Sequence, residues 1–226
     1  MKAMILAAGF GKRMQPLTAT CPKPLLQVAG KPLLEHHILN LKAAGFTELV
    51  VNTAYLSDQI VAFCDEGRPW NMHLSVSVEP EPLETAGGII QALPLLGDAP
   101  FLVVNGDIWC PFPFGELLET AVPSGGAHLI LTPNPPQHPG GDFSLGLDGR
   151  VLAAAAGSTA TFAGVALYDP KFFEGLDCGK RPLKPLLDEA IARGAVTATL
   201  WQGDWEDVGT PDRLELLQRR LDSQRG

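Results

Sequence analysis

The chain has 226 residues, a formal net charge of −8, 46% hydrophobic and 19% charged residues. That length suits one α/β domain, the apolar content supplies a core, and the composition excludes a disordered chain. The acidic balance excludes a general affinity for nucleic acid or anionic membrane, so a polyanionic substrate would need local cations, and Lys12, Arg13 and Lys23 cluster near the N-terminus.

The first half alternates. Strand-like runs stand at 3–8 (AMILAA), 48–52 (ELVVN), 74–78 (LSVSV), 101–106 (FLVVNG) and 128–132 (HLILT), with helical patterns at 33–44, 57–66, 85–95 and 114–121 between them. Continuous apolar strands separated by helices predict a doubly wound, Rossmann-like, mostly parallel sheet covered on both faces, with right-handed crossovers. Such sheets bind ligands at the carboxyl ends of their strands.

The second half differs. PNPPQHPGG (133–141) is a Pro/Gly loop, followed by short strand candidates at 143–147, 150–154 and 161–168. A helix over 183–193, a strand at 197–201 and a closing helix from Pro211 to about Ser223 complete the chain, with Thr210 as cap and Pro211 in the first turn. One domain over 1–226 is expected, with a nucleotide-binding half at 1–132 and a smaller, β-containing substrate half at 133–226.

The opening apolar run breaks at Gly9, too short for a signal peptide, and no segment reaches the roughly 18 apolar residues of a membrane span. Cys21, Cys64, Cys110 and Cys178 form no CxxC pair and read as reduced thiols of a cytoplasmic protein. The five histidines stand at no ligand spacing to them, which argues against zinc.

GFGKR (9–13) follows the first strand. Glycines let backbone N–H groups approach an anion, but the loop is neither G-x-x-x-x-G-K-[ST] nor G-x-G-x-x-G. On that pattern alone a phosphate cradle and a plain tight turn are equally open. The longer stretch LAAGFGKRMQPLT, with PKPLL at 22–26, resembles the signature of the sugar-1-phosphate nucleotidyltransferases, approximately LAAGxGxRxxPxT…PKPL. NGD (105–107), FAGVALY (162–168) and WEDVGTPDRL (205–214) also have counterparts in that family, so the resemblance spans essentially the whole chain.

The resemblance implies an enzyme that joins a nucleoside triphosphate to a sugar 1-phosphate. Arg13 and Lys23 are then the catalytic cations, on a nucleotide loop that includes Leu6, Ala8, Gly9 and Gly11. Asn105, Glu79, Glu84 and Thr85 complete the nucleotide site. Asp107 and Asp207 are implied Mg²⁺ ligands, and Mg²⁺ takes one or two carboxylates plus phosphates and water. Ser144, Gly164 and Lys184 are implied contacts of the sugar phosphate.

VEPEPLETAGGI (78–89) falls where the family meets the base. Many pyrimidine-using relatives carry Gln and Gly where this chain has Glu79 and Glu84. Ionised Glu79 can only accept, which suits uracil N3–H and also the donors of guanine. Donors would come from Gly87, Gly88 and the backbone of 84–86. PLETAGG is similar to the PLGTAG of members that transfer guanylyl groups to mannose 1-phosphate. The short members that use UTP and N-acetylmuramate 1-phosphate in peptidoglycan recycling resemble the chain over its full length, including NPPQHPGGDF. UTP is therefore the expected nucleotide, in a monomer or small homo-oligomer, with guanylyl transfer to mannose 1-phosphate as the alternative. A non-catalytic sugar-nucleotide-binding subunit would be expected to lose the lysine or the aspartates, and NGDIW lacks the Asp-x-Asp of many glycosyltransferases. His36 and His37 open a helix and read as packing or surface residues.

Overall fold

The computed structural model describes residues 1–153 and 159–223. A seven-stranded sheet organises it: β1 (Ala3–Leu6), β2 (Glu48–Thr53), β3 (His73–Val78), β4 (Phe101–Asn105), β5 (Ala127–Thr132), β6 (Thr161–Tyr168) and β7 (Val196–Leu200). Their order is β7-β5-β6-β4-β1-β2-β3. All neighbours are parallel except β6, which is antiparallel to both β4 and β5.

The helices cover both faces, as the continuous apolar strands require. α1 (Leu33–Ala43) and α2 (Ser57–Cys64) pack Leu34, Ile38, Leu41 and Ile60 against Ile5, Val51 and Val104. On the opposite face α3 (Glu84–Leu96) and α4 (Leu183–Ala192) pack Ile89, Ile90 and Leu187 against Met4, Val50 and Val103. The period of two along each strand sends successive side chains to opposite cores. α5 (Pro211–Ser223) buries Leu217 and Leu221 beside Val28 and Leu33.

Several boundaries differ from expectation. The first strand ends at Leu6, and Ala7 and Ala8 already belong to the loop. The stretch 114–121 forms a 3₁₀ turn over Phe114–Glu119 rather than an α-helix, with Gly115 inside it and Pro113 before it. α2 stops at Cys64, where the chain enters left-handed backbone at Asp65 and Glu66. The hairpin of the second half pairs Phe143–Leu145 with Val151–Ala153. Of the expected strand at 150–154, residue 154 lies outside the described residues. The four cysteines are unpaired. No helix among the described residues is long and apolar enough to cross a membrane.

Candidate active site

Strand order reverses between β1 and β4, and the crevice opens at their carboxyl ends. The two exits touch: the Gly106 amide donates to the Leu6 carbonyl at 2.9 Å. A Cβ on residue 106 would lie 2.5 Å from that oxygen, so only glycine permits this approach. Four adjoining cavities, of about 230, 470, 190 and 280 Å³, are each walled by Asn105, Asp107 or both.

The 190 Å³ cavity gathers the cations of the opening loop. Gly9, Gly11, Lys12, Arg13 and Lys23 line it, with Asp107 and Gly209 opposite. Gly11 has φ +61, and its carbonyl accepts from the Met14 amide and the Thr18 hydroxyl, both at 2.8 Å. Buried Met14 and Thr18 therefore anchor a loop whose residues 12 and 13 remain exposed. Lys23 is only 8% exposed, and its Nζ lies 2.8 Å from Asp107 Oδ2.

The fold brings Asp107 and Asp207 together. Ile108–Trp109 pairs antiparallel with Glu206–Asp207, and the Val208 amide donates to the Asp107 carbonyl at 2.9 Å. Both aspartates line the 280 Å³ cavity. Each carboxylate has its own cation, Lys23 on Asp107 and Arg213 Nη1 at 2.6 Å on Asp207 Oδ2. Both ion pairs use Oδ2, and Oδ1 of each has no protein partner among the described residues. Two such carboxylate oxygens suit a hard cation. No group of three or more His, Cys, Asp or Glu side chains gathers among the described residues. A Mg²⁺ ion here would take its remaining ligands from phosphate and water.

The 230 Å³ cavity is walled by Leu6, Ala7, Ala8 and Gly9 on one side and by Asn52, Pro82, Glu84 and Thr85 on the other. Glu79 does not line it. Its carboxylate is 3% exposed and takes hydrogen bonds from Asn52 Nδ2 at 2.6 Å and the Leu83 amide at 2.9 Å. The expected base-reading carboxylate is thus behind the wall, and Asn52 stands in front. Burial pushes the Glu79 carboxyl above the usual range, and the two hydrogen bonds pull it back. The expected donors of the glycine pair are also committed elsewhere. The Ala86 and Gly87 amides both donate to the Arg181 carbonyl. A Cβ on Gly87 would lie 2.3 Å from the Gly179 carbonyl oxygen, so the pair serves close packing.

Glu84 opens α3 with φ +62, a conformation that disfavours any side chain but glycine's. It lines both the 230 and the 470 Å³ cavities.

The 470 Å³ cavity has Phe143, Phe162, Leu187, Asp142 and Lys184 on its walls. Lys184 lies over the Phe143 ring and pairs with Asp188 at 2.5 Å. Ser144 does not line it: strand alternation buries Ser144 on the face opposite to its neighbour Phe143. Gly164 lines the 280 Å³ cavity beside the aspartates. It has φ +78 in a bulge that shifts β6 register between Phe162 and Val165. Neither Arg150 nor Arg181 lines these cavities: Arg150 pairs with Asp148, and the Arg181 backbone holds the start of α3.

Two groups escaped sequence reasoning. Asp142 accepts from the Phe162 amide at 2.8 Å and lies 3.0 Å from His138 Nε2, walling both the 470 and the 280 Å³ cavities. Asn134 ties the Pro/Gly loop to Thr159 and Thr161. A polar residue inside a Pro/Gly run is the only signal the sequence offers for either.

A family model described as nucleotidyl transferase matches residues 2–151. The chain belongs to the nucleotidyl transferase family. It is 49% identical over 224 residues to the N-acetylmuramate alpha-1-phosphate uridylyltransferase of Neisseria meningitidis serogroup B, covering 96% of this chain and 97% of that protein. It is 45% identical over 122 residues to the mannose-1-phosphate guanyltransferase of Hypocrea jecorina, a match to 53% of this chain and 34% of that protein. Among solved structures, HddC from Yersinia pseudotuberculosis complexed with GMP-PN superposes with a TM-score of 0.81 at 22% identity, covering 97% of this chain and 99% of that one. That likeness speaks to the fold. As a nucleotidyl transferase the chain is an enzyme, and the loop at 9–13 lies near the start of the matched region.

Proposed function

We propose that the chain transfers a uridylyl group from UTP to N-acetylmuramate 1-phosphate, giving UDP-N-acetylmuramate and pyrophosphate, in cytoplasmic peptidoglycan recycling. The observation that carries this reading is near full-length similarity to the Neisseria uridylyltransferase. A monomer or small homo-oligomer is the expected working form.

An oxygen of the sugar 1-phosphate attacks the α-phosphorus in line. One P–O bond forms as the bond to the β-phosphate bridging oxygen breaks, and pyrophosphate leaves with that electron pair. The attacking phosphate is already an anion, so no side chain needs to remove a proton. The work is to hold two mutually repelling anions in line and to offset the charge that develops. Arg13 and the amides of 9–11 receive the triphosphate, and Lys23, fixed by Asp107, reaches the α-phosphate. Asn105 stands where the nucleotide and sugar cavities join. Mg²⁺ held by Asp107 and Asp207 would supply further positive charge against the phosphates.

Guanylyl transfer to mannose 1-phosphate is a second reading, favoured by the 45% identity over 122 residues to the Hypocrea protein. Pyrophosphate release separates the two. UTP, GTP, dTTP and ATP are each paired with N-acetylmuramate, N-acetylglucosamine, glucose and mannose 1-phosphates. The proposal expects the highest kcat/KM for UTP with N-acetylmuramate 1-phosphate. A maximum at GTP with mannose 1-phosphate would replace it with the second reading.

A further inference from the structure

Three of the segments that wall the nucleotide cavity are the loop after β1, the end of β2 and the entry to α3. One buried chain of hydrogen bonds joins them. The Ala7 amide can only donate, so Asn52 must turn its oxygen toward it, at 2.8 Å. The Asn52 nitrogen then faces Glu79 Oε1 at 2.6 Å, and the Leu83 amide reaches Glu79 Oε2 at 2.9 Å. Asn52 and Glu79 are each 3% exposed.

The polarity of this chain is fixed from both ends. Residue 79 stands between two donors and must accept at both of its oxygens. An ionised carboxylate does so, and a carboxamide cannot, because its NH₂ would face a donor on one side or the other. Burying an uncompensated carboxylate is unfavourable, so this charge has to be met by well-aimed donors. α3 closes over the pair. A Cβ on Gly88 would lie 2.6 Å from Glu79 Oε1 and 2.7 Å from Asn52 Nδ2, so glycine is what lets the helix lie flush on the relay.

We propose that Glu79 is a positioning residue: acting through Asn52 and the Leu83 amide, it fixes the walls of the nucleotide cavity without touching the nucleotide. This rests on the reading of that cavity as the nucleotide site. It assigns the carboxylate a task distinct from base recognition.

Reversing the polarity tests it. In the Glu79→Gln variant, one donor meets another, and the KM for UTP rises about tenfold or more, the scale of a broken buried hydrogen bond. Asn52→Asp alone sets two carboxylates against each other and has a similar effect. The double variant Glu79→Gln with Asn52→Asp restores every polarity. The carboxamide now at position 79 accepts from the Leu83 amide and donates to the carboxylate now at position 52, which also accepts from the Ala7 amide. Its melting temperature returns toward the parent's and its KM for UTP falls below that of either single variant, a non-additive rescue that a side chain serving only as filler would not give.

UTP affinity is measured alongside by titration without sugar phosphate, and thermal melting reports folding. Wild-type KM in Glu79→Gln overturns the proposal, and so does a double variant no better than the singles. If a single variant does not fold, the double variant decides: one that folds and binds UTP supports the relay, and one that fails to do either overturns it. A parent protein that neither binds nor turns over UTP instead refutes the functional reading. The same series with GTP, if the parent prefers it, then tests the relay by itself.

Discussion

The Val208 amide donates to the Asp107 carbonyl at 2.9 Å, and that bond sets the Asp207 carboxylate beside that of Asp107. The pairing around it is only two residues long, Ile108–Trp109 against Glu206–Asp207. It nevertheless joins the end of a core strand to the segment that leads into α5. The site thus gathers two carboxylates on one cavity, each with a cation on Oδ2.

If these carboxylates hold Mg²⁺, Asp207→Asn weakens the metal more than it weakens the fold. The Mg²⁺ concentration for half-maximal rate should rise at least about tenfold, the scale seen when a metal's supporting groups are removed. A magnesium titration of initial rate checks this, and an unchanged midpoint would remove Asp207 from the metal site.

Lys23 is buried and ion-paired before any substrate arrives, so its ammonium is placed in advance. Lys23→Ala should lower kcat by about 10²-fold or more, as for loss of a preorganised charge contact. The same change leaves Asp107 without its cation and lowers stability. Rate at saturating substrates, measured well below the melting temperature, separates the two effects.

Gly164 has φ +78, and a Cβ there would lie 2.8 Å from Asn105 Nδ2. Gly164→Ala should cost about 1–2 kcal/mol for the left-handed backbone alone. It should also displace Asn105, which walls three of the four cavities, and so raise KM for both substrates. A denaturant midpoint and the two KM values report the two consequences.

His128 is buried on β5, with its ring nitrogens 2.8 Å and 3.1 Å from the hydroxyls of Thr197 and Thr199 on β7. Burial lowers its pKa below the ordinary histidine value of 6.5. The unfolded chain therefore binds the proton first as pH falls. Stability should be unaffected by this group above pH 6.5 and should decline as pH falls from there toward the lower folded value. His128→Gln should flatten that part of a stability-versus-pH curve. An equal slope in both proteins would contradict the assignment.

The sequence made the sheet legible because its parallel strands are buried on both faces and read as unbroken apolar runs. Gly9, Gly11, Arg13 and Lys23 were singled out by the family resemblance rather than by the loop's composition, which equally suits a tight turn, and the fold gathers them on one cavity. Strand direction was not legible: nothing in TFAGVALY says that β6 runs antiparallel between β4 and β5. Glu79 stands in a polar, proline-rich stretch that reads as surface, and its burial follows only from the way β2, β3 and α3 converge. Ser144 failed for a simpler reason. One step along a strand reverses the face, and Phe143 took the cavity side.

The most direct test follows the α-phosphorus. The protein is incubated with Mg²⁺, UTP labelled at the α-phosphate and N-acetylmuramate 1-phosphate, and the products are separated by chromatography. The account predicts label in UDP-N-acetylmuramate, with unlabelled pyrophosphate formed in equal amount. Label that stays in UTP while labelled GTP and mannose 1-phosphate yield GDP-mannose would contradict it.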